Sequence, residues 1–404
     1  MNQSLPTIIK RDDHCVSRKN ITSATLKVLY RLHEKGYNAY LAGGAVRDLM
    51  LKRKPKDFDV VTDATPEDIK KIFRNSRIVG RRFRLAHILF RGEIIETSTF
   101  RASLSNENID EEEPTIIKDE EGLVVRDNHF GSPEEDALRR DFTVNALFYD
   151  LKNFTVIDYA NGLFDLNNKI IKVIGDPDKR FVEDPVRMIR AIRFASTLGF
   201  SIDKNDFESI KKNAHLLHLA SPTRMYDEMQ KLFFCGNSKT MFSLLEEASI
   251  IEYMFKEFYN WLNDDSKRKE WVLKCLDQLD RWKRANLKIN PALLLALIFG
   301  EYHKILINEK KGSKNKVNHP IKDVIYEHLT SISQNIRIPK TIIYQVCDIM
   351  FDQSRFLKIN KHKSNRFLNS PRFIDAFLFF KLWSKFHNIN LNELDFWSKK
   401  QRSV

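Results

Sequence analysis

At about residue 180 the hydrophobic periodicity of this chain changes. Upstream, short β-like runs alternate with helical stretches. Downstream, apolar residues recur every three or four positions and strand signals largely vanish. The break predicts an α+β N-terminal part, a mixed β-sheet with flanking helices, followed by an all-α part. Strands are expected at 38–42, 57–62, 77–80, 86–90, 93–99, 143–149 and 154–158, and early helices at 22–36, 45–52 and 66–74. Thr65 and Pro66 open the last of these as cap and first helical residue. Later helices are expected near 184–198, 204–214, 222–234, 238–246, 267–284, 291–306, 320–334, 340–351 and 371–386. A chain of 404 residues has room for two or three domains.

Charge narrows the class of partner. The net charge is +13, and residues 106–122 alone carry eight acids against one lysine, leaving the remainder near +20. Such a balance favours a polyanion, nucleic acid above all. The acidic run, within 102–128, is poor in periodicity and is expected to be a surface loop. Four cysteines stand far apart with no CxxC pair, which argues against a disulfide framework or a zinc site and fits a reducing cytoplasm. The longest apolar run, residues 291–299, is too short to span a bilayer, so no membrane span is expected.

The densest chemistry lies in residues 40–62, YLAGGAVRDLMLKRKPKDFDVVT. The order is strand, Gly43-Gly44 turn, short helix, second strand. A glycine turn feeding a helix N-terminus presents backbone N–H groups to a phosphate. Asp57 and Asp59 stand at i and i+2, on one face of a strand. Two such carboxylates can hold Mg²⁺ beside that phosphate. Each element alone has a plainer explanation, a common turn or a solvated strand face; their order and spacing carry the signal.

Gly43, Gly44, Val46, Arg47, Asp48 and then Lys56, Asp57, Phe58, Asp59 resemble the pattern of the polymerase β-type nucleotidyltransferases. Within them the pattern resembles the branch of bacterial poly(A) polymerases and CCA-adding enzymes. The resemblance implies a nucleotidyltransferase head, then a helical neck and body, with boundaries at 1–175, 176–236 and 237–404. Asp57 and Asp59 become metal ligands for two Mg²⁺ ions, which Mn²⁺ can replace. Glu96 is a candidate third carboxylate, with a solvent-facing strand glutamate as the alternative. Gly43, Gly44 and Arg47 would cradle the triphosphate.

Further motifs extend the resemblance. Residues 136–147, DALRRDFTVNAL, supply an arginine pair (Arg140 among the nucleotide-binding candidates) with Asp141 and Asn145. Those two would share a helix face and bond ribose hydroxyls, and Asp141 is counted with the catalytic acids. Arg101 ends a strand in Thr-Phe-Arg. In EDPVRMIRAIRF, 183–194, Asp184 caps a helix and Arg187, Arg190 and Arg193 form a basic stripe. The stripe is either a solvated face or, as the family implies, a nucleotide site in which Asp184 and Arg187 read the base. That pair suits adenine and cytosine alike. Arg81, Arg82 and Arg84, candidate RNA contacts or a charged turn, precede Leu85, Ala86 and His87 in the form that resembles poly(A) polymerases rather than CCA-adding enzymes. In DYANGLFDL, Asn161 replaces a glycine common in relatives, and its tolerance of left-handed backbone should preserve the turn. The chain also stops without the arginine-rich tail of longer members.

The expected activity is template-independent polyadenylation of RNA 3′ ends, with ATP as substrate, pyrophosphate as product, and RNA as partner. Protein partners cannot be read from the sequence. A CCA-adding tRNA nucleotidyltransferase is the alternative. An inactive RNA-binding relative is a third reading, of a different class.

Overall fold

The structure is a computed structural model that describes residues 5–80, 84–102, 116–118, 124–127, 130–312, 321–359 and 361–402. It forms two compact units, residues 1–213 and 214–404. The first contains β1 (Thr7–Ile9), α1 (Ser23–Glu34), β2 (Ala39–Ala42), α2 (Gly44–Met50), β3 (Asp59–Thr62), α3 (Pro66–Ile72), β4 (Ser76–Val79), β5 (Leu85–Phe90) and β6 (Glu93–Thr99). It continues through β7 (Ile116–Lys118), β8 (Val124–Asp127), α4 (Pro133–Leu138), β9 (Leu147–Asp150), β10 (Thr155–Asp158) and α5 (Gly162–Asn168). It closes with β11 (Ile170–Ile171), α6 (Pro177–Glu183), α7 (Val186–Leu198), β12 (Ser201–Ile202) and α8 (Lys204–Asn213).

Eight strands make one mixed sheet in the order β1-β10-β9-β2-β3-β6-β5-β4. Its register aligns one row of side chains across five strands: Phe148, Ala42, Asp59, Glu96 and His87. Cross-strand partners share a face, so the acids of β3 and β6 stand side by side. Apolar residues floor that face beside them. Ala42, Val61, Phe100, Ala137 and Phe148 form one buried cluster, with Tyr40 stacked on Phe148 at 6.0 Å between ring centres. Burying each such aromatic is worth about 1.5–3 kcal/mol, which fixes the register that places the acids.

The structure differs from the sequence expectations in three instructive places. Residues 143–149 are not one strand: Thr143–Asn145 is a 3-10 turn and the strand starts at Leu147. Thr143 Oγ1 donates to buried Asp165 at 2.6 Å, and a Cβ on Gly162 would lie 2.2 Å from the Thr143 carbonyl oxygen. That close approach needs glycine, and Asn161 does adopt the left-handed conformation, φ 60°. The helix expected at 184–198 begins at Val186, with Asp184 closing α6. The acidic segment expected as a loop contributes the two-stranded ladder β7–β8; the rest of it lies outside the described residues.

Among its described residues the second unit holds helices and no strand: α9 (Pro222–Phe233), α10 (Ser238–Glu247), α11 (Ile250–Met254), α12 (Lys256–Asp264), α13 (Ser266–Arg284) and α14 (Pro291–Gly312), then α15 (Ile321–Ile332), α16 (Lys340–Phe356), α17 (Lys361–Leu368), α18 (Phe373–His387) and α19 (Leu391–Arg402). The 291–299 run opens α14, and among the described residues no helix is long and apolar enough to cross a membrane. Among the described residues no cysteine is in a disulfide.

Inside this unit His303 and His328 share a hydrogen bond of 2.9 Å, and the other His303 nitrogen, Nδ1, is buried without a partner. Burial holds His328 down at about 4 and His303 well below its ordinary value, with His328 opposing a second charge. Unfolded imidazoles titrate near 6.5, so between pH 6.5 and 4 the unfolded chain binds the extra protons. The stabilisation is complete above pH 6.5 and is lost as pH falls, at roughly 1.4 kcal/mol per pH unit per ring. All five tryptophans lie beyond residue 213, so fluorescence-detected urea unfolding reports this unit. Its midpoint should drop between pH 7 and 5, and a His303→Leu/His328→Leu variant should flatten the profile. A flat wild-type profile would contradict the assignment.

Candidate active site

The site is built at the end of the sheet where β2 finishes and β3 begins. Ala42 leads into Gly43, whose backbone (φ 71°, ψ −132°) is open only to glycine, and α2 starts at the next residue. Gly43 N–H is held by the Leu147 carbonyl at 3.0 Å, and Arg47 N–H to the Gly43 carbonyl is the first full helical turn. The amides of Gly44, Ala45 and Val46 therefore open the helix without intrahelical acceptors. A Cβ on Gly43 would come within 2.7 Å of Arg140 Nη1, so the missing side chain lets that guanidinium lie against the turn.

Asp59 faces this arginine. Its side chain keeps solvent access, yet the protein packed around it pushes its pKa up to about 6. Glu96 and Asp57 add like charge, and Arg140 opposes them. Glu96 lies 3.5 Å from His87 Nε2 on the next strand. Asp59 thus carries negative charge that its surroundings do not neutralise, which suits a hard cation. Among the described residues no three acid, histidine or cysteine side chains gather into a complete metal site. Asp57 and Asp59 are hard oxygen donors of the kind that hold a divalent cation.

Beside the acids lies an opposite excess. Asp136, buried, accepts from Arg140 Nη2 at 3.0 Å and from the Arg101 backbone N–H at 3.3 Å, with Arg101 Nε at 3.8 Å. Arg180 donates to the Arg139 and Arg140 carbonyls at 2.5 and 2.8 Å and to Glu183 at 2.8 Å. Arg187 donates to the Arg180 carbonyl at 2.7 Å and to Glu183 at 3.0 Å. Burial, then the charges of Arg101, Arg180 and Arg187, pull Arg139 down to about 9. Arg101 and Arg180 are lowered too, burial leading in both. Cations that depress one another in this way form a ready anion site.

A third group ties the site to α7. Arg47 Nη1 donates to Asn145 Oδ1 at 2.6 Å; Asn145 Nδ2 donates to Asp141 Oδ1 at 3.1 Å. Arg190 donates to Asp141 Oδ2 through Nε at 2.7 Å and pairs through Nη2 at 2.5 Å. Asp141 is held at about 2: burial opposes its charge, but Arg190 and Asn145 more than offset that. The guanidinia of Arg47, Arg190 and Arg193 lie 5.2, 5.2 and 4.2 Å from the centre of the Phe194 ring.

The structure thus brings together Gly43, Arg101, Arg140, Asp57, Asp59 and Glu96 around the sheet end, and Arg47, Asp141, Asn145 and Arg190 in one network. Gly44 opens α2 beside the guanidinium of Arg47, which is buried. Asp184 sits at the α6–α7 junction, where its carbonyl accepts from Arg187 N–H at 3.0 Å. Arg84 pairs with Glu67 of α3 at 2.6 Å, while Arg81 and Arg82 lie outside the described residues. Two arginines of the anion site, Arg139 and Arg180, were not among the sequence candidates. Arg139 is the first member of the quoted arginine pair. Arg180 lies in a helix that carries no strong motif by itself.

Comparison with known proteins fits this arrangement. Residues 39–172 match the family profile of the poly A polymerase head domain. Residues 199–262 match the "probable RNA and SrmB-binding site of polymerase A", and residues 314–404 its arginine-rich C-terminus. The last match corrects the expectation that such a C-terminal element is missing. The chain is 39% identical over 408 residues to Poly(A) polymerase I of Salmonella typhi, covering 98% of this chain and 86% of the relative. A CCA-adding enzyme of Staphylococcus epidermidis is 35% identical, but over only 57% of this chain and 55% of its own. The crystal structure of the Bacillus stearothermophilus CCA-adding enzyme in complex with CTP shares the fold, with a TM-score of 0.63 and 24% identity over 92% of this chain and 81% of that one. Sequence similarity to the Staphylococcus epidermidis CCA-adding enzyme thus covers about half of the chain, whereas that to poly(A) polymerase I runs through both units: this chain belongs to the bacterial poly(A) polymerase family, the polynucleotide adenylyltransferases.

Proposed function

We propose that this protein extends RNA 3′ ends with AMP from ATP, releasing pyrophosphate, at the site formed by Asp57, Asp59 and the neighbouring arginines. The observation that carries the reading is the adjacency of two like-charge clusters: the carboxylates of Asp57, Asp59 and Glu96, and the mutually repelling Arg101, Arg139, Arg140, Arg180 and Arg187, which outnumber the acids paired with them, Asp136 and Glu183. A triphosphate bearing divalent cations complements both.

Asp57 and Asp59 would hold the cations, with Glu96 beside them. When bound there, two Mg²⁺ (or Mn²⁺) ions would activate the RNA 3′-hydroxyl and neutralise charge on the α-phosphate and the departing pyrophosphate. The α2 amides and Arg140 hold the triphosphate in line with the hydroxyl, and Arg101, Arg139 and Arg180 supply positive field where negative charge builds up. Asp141 and Asn145 orient Arg47 and Arg190, so we assign Asp141 a positioning role. Asp184 and Arg187 read the base, with Arg190 and Arg193 beside them. Arg81, Arg82 and Arg84 serve the RNA. The head, neck and body divide as 1–175, 176–236 and 237–404, and the cytoplasm is the compartment we assign.

The deciding assay offers an oligo(A) RNA and a tRNA lacking its CCA end, each with ATP or CTP and Mg²⁺. A long ladder with ATP alone is expected. One to three additions to the tRNA with CTP would replace polyadenylation by CCA addition, and no incorporation would leave an RNA-binding module. Asp184→Ala should lower the preference for ATP over GTP and UTP by about 10–100-fold, the effect of losing a hydrogen-bonded base contact. Unchanged discrimination would make Asp184 a joint between α6 and α7 and nothing more.

A further inference from the structure

The helical unit carries a second concentration of cations, well separated in sequence from the active-site arginines. A cleft of about 900 Å³ lies between α13, α14 and α18. Lys267 and Lys274 of α13, Lys304 of α14 and Lys385 of α18 line it. Lys267 and Lys274 are seven residues apart, on one face of their helix. None of the four ammonium groups has an ion-pair partner among the described residues, and Lys267, Lys274 and Lys385 are exposed.

Lys304 is the unusual member. Its Nζ lies 3.2 Å from the centre of the Trp383 ring and 5.8 Å from that of Phe379. It has no hydrogen-bond acceptor among the described residues. The nearest acid, Glu301, gives its Oε1 to Trp383 Nε1 at 3.2 Å and to His387. Burial pushes the Lys304 ammonium down to about 7, against a smaller opposing pull from Glu301. Lys304 is half-buried, and a cation drawn partly out of water without an acceptor is costly. The cation–π contact recovers only part of that cost. The lining also includes Arg268 and the acids Asp265, Glu270 and Glu301, so cations outnumber acids by five to three, an excess that suits a polyanion.

We propose that this cleft binds the phosphodiester backbone of single-stranded RNA, with Lys304 as its half-buried anchor. The proposal rests on the reading that RNA is the substrate. It adds a retention site outside the segment, 199–262, described as RNA-binding in the family. Phosphates upstream of the 3′ end bind there while the end is extended, so the cleft sets how many additions follow one encounter.

Two variants of the full chain test it: Lys267→Gln/Lys274→Gln/Lys385→Gln, and Lys304→Met. Binding of a long oligo(A) is read by anisotropy, without ATP, between about 50 and 200 mM salt. For the triple variant the log–log salt slope should become shallower by about 2, since each single-strand phosphate contact contributes roughly 0.7. With ATP present, tail length per binding event should shorten, while the first AMP addition to a short saturating primer stays unchanged. Lys304→Met should melt at the same or a higher temperature and still lose RNA affinity. An unchanged slope and affinity in both variants would overturn the cleft, as would a Lys304→Met protein that loses stability but keeps its affinity. Because binding is read without ATP, it decides the cleft independently. A wild-type protein that adds no AMP would overturn the active-site reading instead.

Discussion

Asp57→Ala and Asp59→Ala should each lower AMP addition by at least about 10³-fold while leaving RNA affinity nearly intact, because they remove the carboxylates proposed to hold the cations. The expectation is sharpest for Asp59. It sits in register with Glu96 and between the negative field of that residue and the positive field of Arg140. Removing it relieves repulsion, so the variant should fold at least as well as the parent. A large loss of turnover with a retained melting temperature is therefore the signature. Single-turnover incorporation and a parallel RNA-binding measurement suffice, and near-normal turnover in either variant would remove these aspartates from the chemistry.

Asp141→Ala should act in the opposite manner, through stability. The variant leaves Arg190 without its carboxylate and Asn145 without one of its acceptors, in a setting where Arg47 is buried as well. Breaking one partner of a buried charged network costs about 3–5 kcal/mol. Because the tryptophans all belong to the other unit, the loss is to be followed by circular dichroism across a urea titration. Asp141→Asn keeps the shape and the bond from the Phe142 amide but loses the charge opposite Arg190, and it should fall between the two. An unchanged unfolding midpoint with lost turnover would return Asp141 to the catalytic acids.

Much of the first unit was legible because its strands obey the two-residue period with apolar partners. The expected strands at 93–99 and 86–90 match β6 and β5 within a residue. Short elements were not. α4, α5 and α6 have six or seven residues each and too few turns to show a stripe. β1 has three residues and is defined by its partner β10, about 150 residues away. The site shows the same limit. Asp141 and Asn145 do meet, but not as neighbours on a helix. They meet because a 3-10 turn pinned by Thr143 and Asp165 folds the segment back. Arg47 follows the glycine pair as a phosphate-binding arginine would, yet its guanidinium is spent on Asp48 and Asn145. No local pattern reveals which arginine faces the ligand and which holds the frame.

The strand order has a consequence for how the protein comes into being. β2 and β3 emerge together, but the far side of β2 is completed by β9, and β9 is backed by β10, which in turn pairs with β1. A nascent chain that has emerged through Thr62 holds Asp59 on an open two-stranded edge, and the turn at Gly43 still lacks Leu147 to fix it. Roughly a hundred further residues must leave the ribosome, at about 5–20 per second, before that edge closes. Long-range pairing of this kind is slow to nucleate. The head therefore becomes competent late in its own synthesis, and the growing polypeptide cannot act on the messenger that encodes it until the whole sheet is in place.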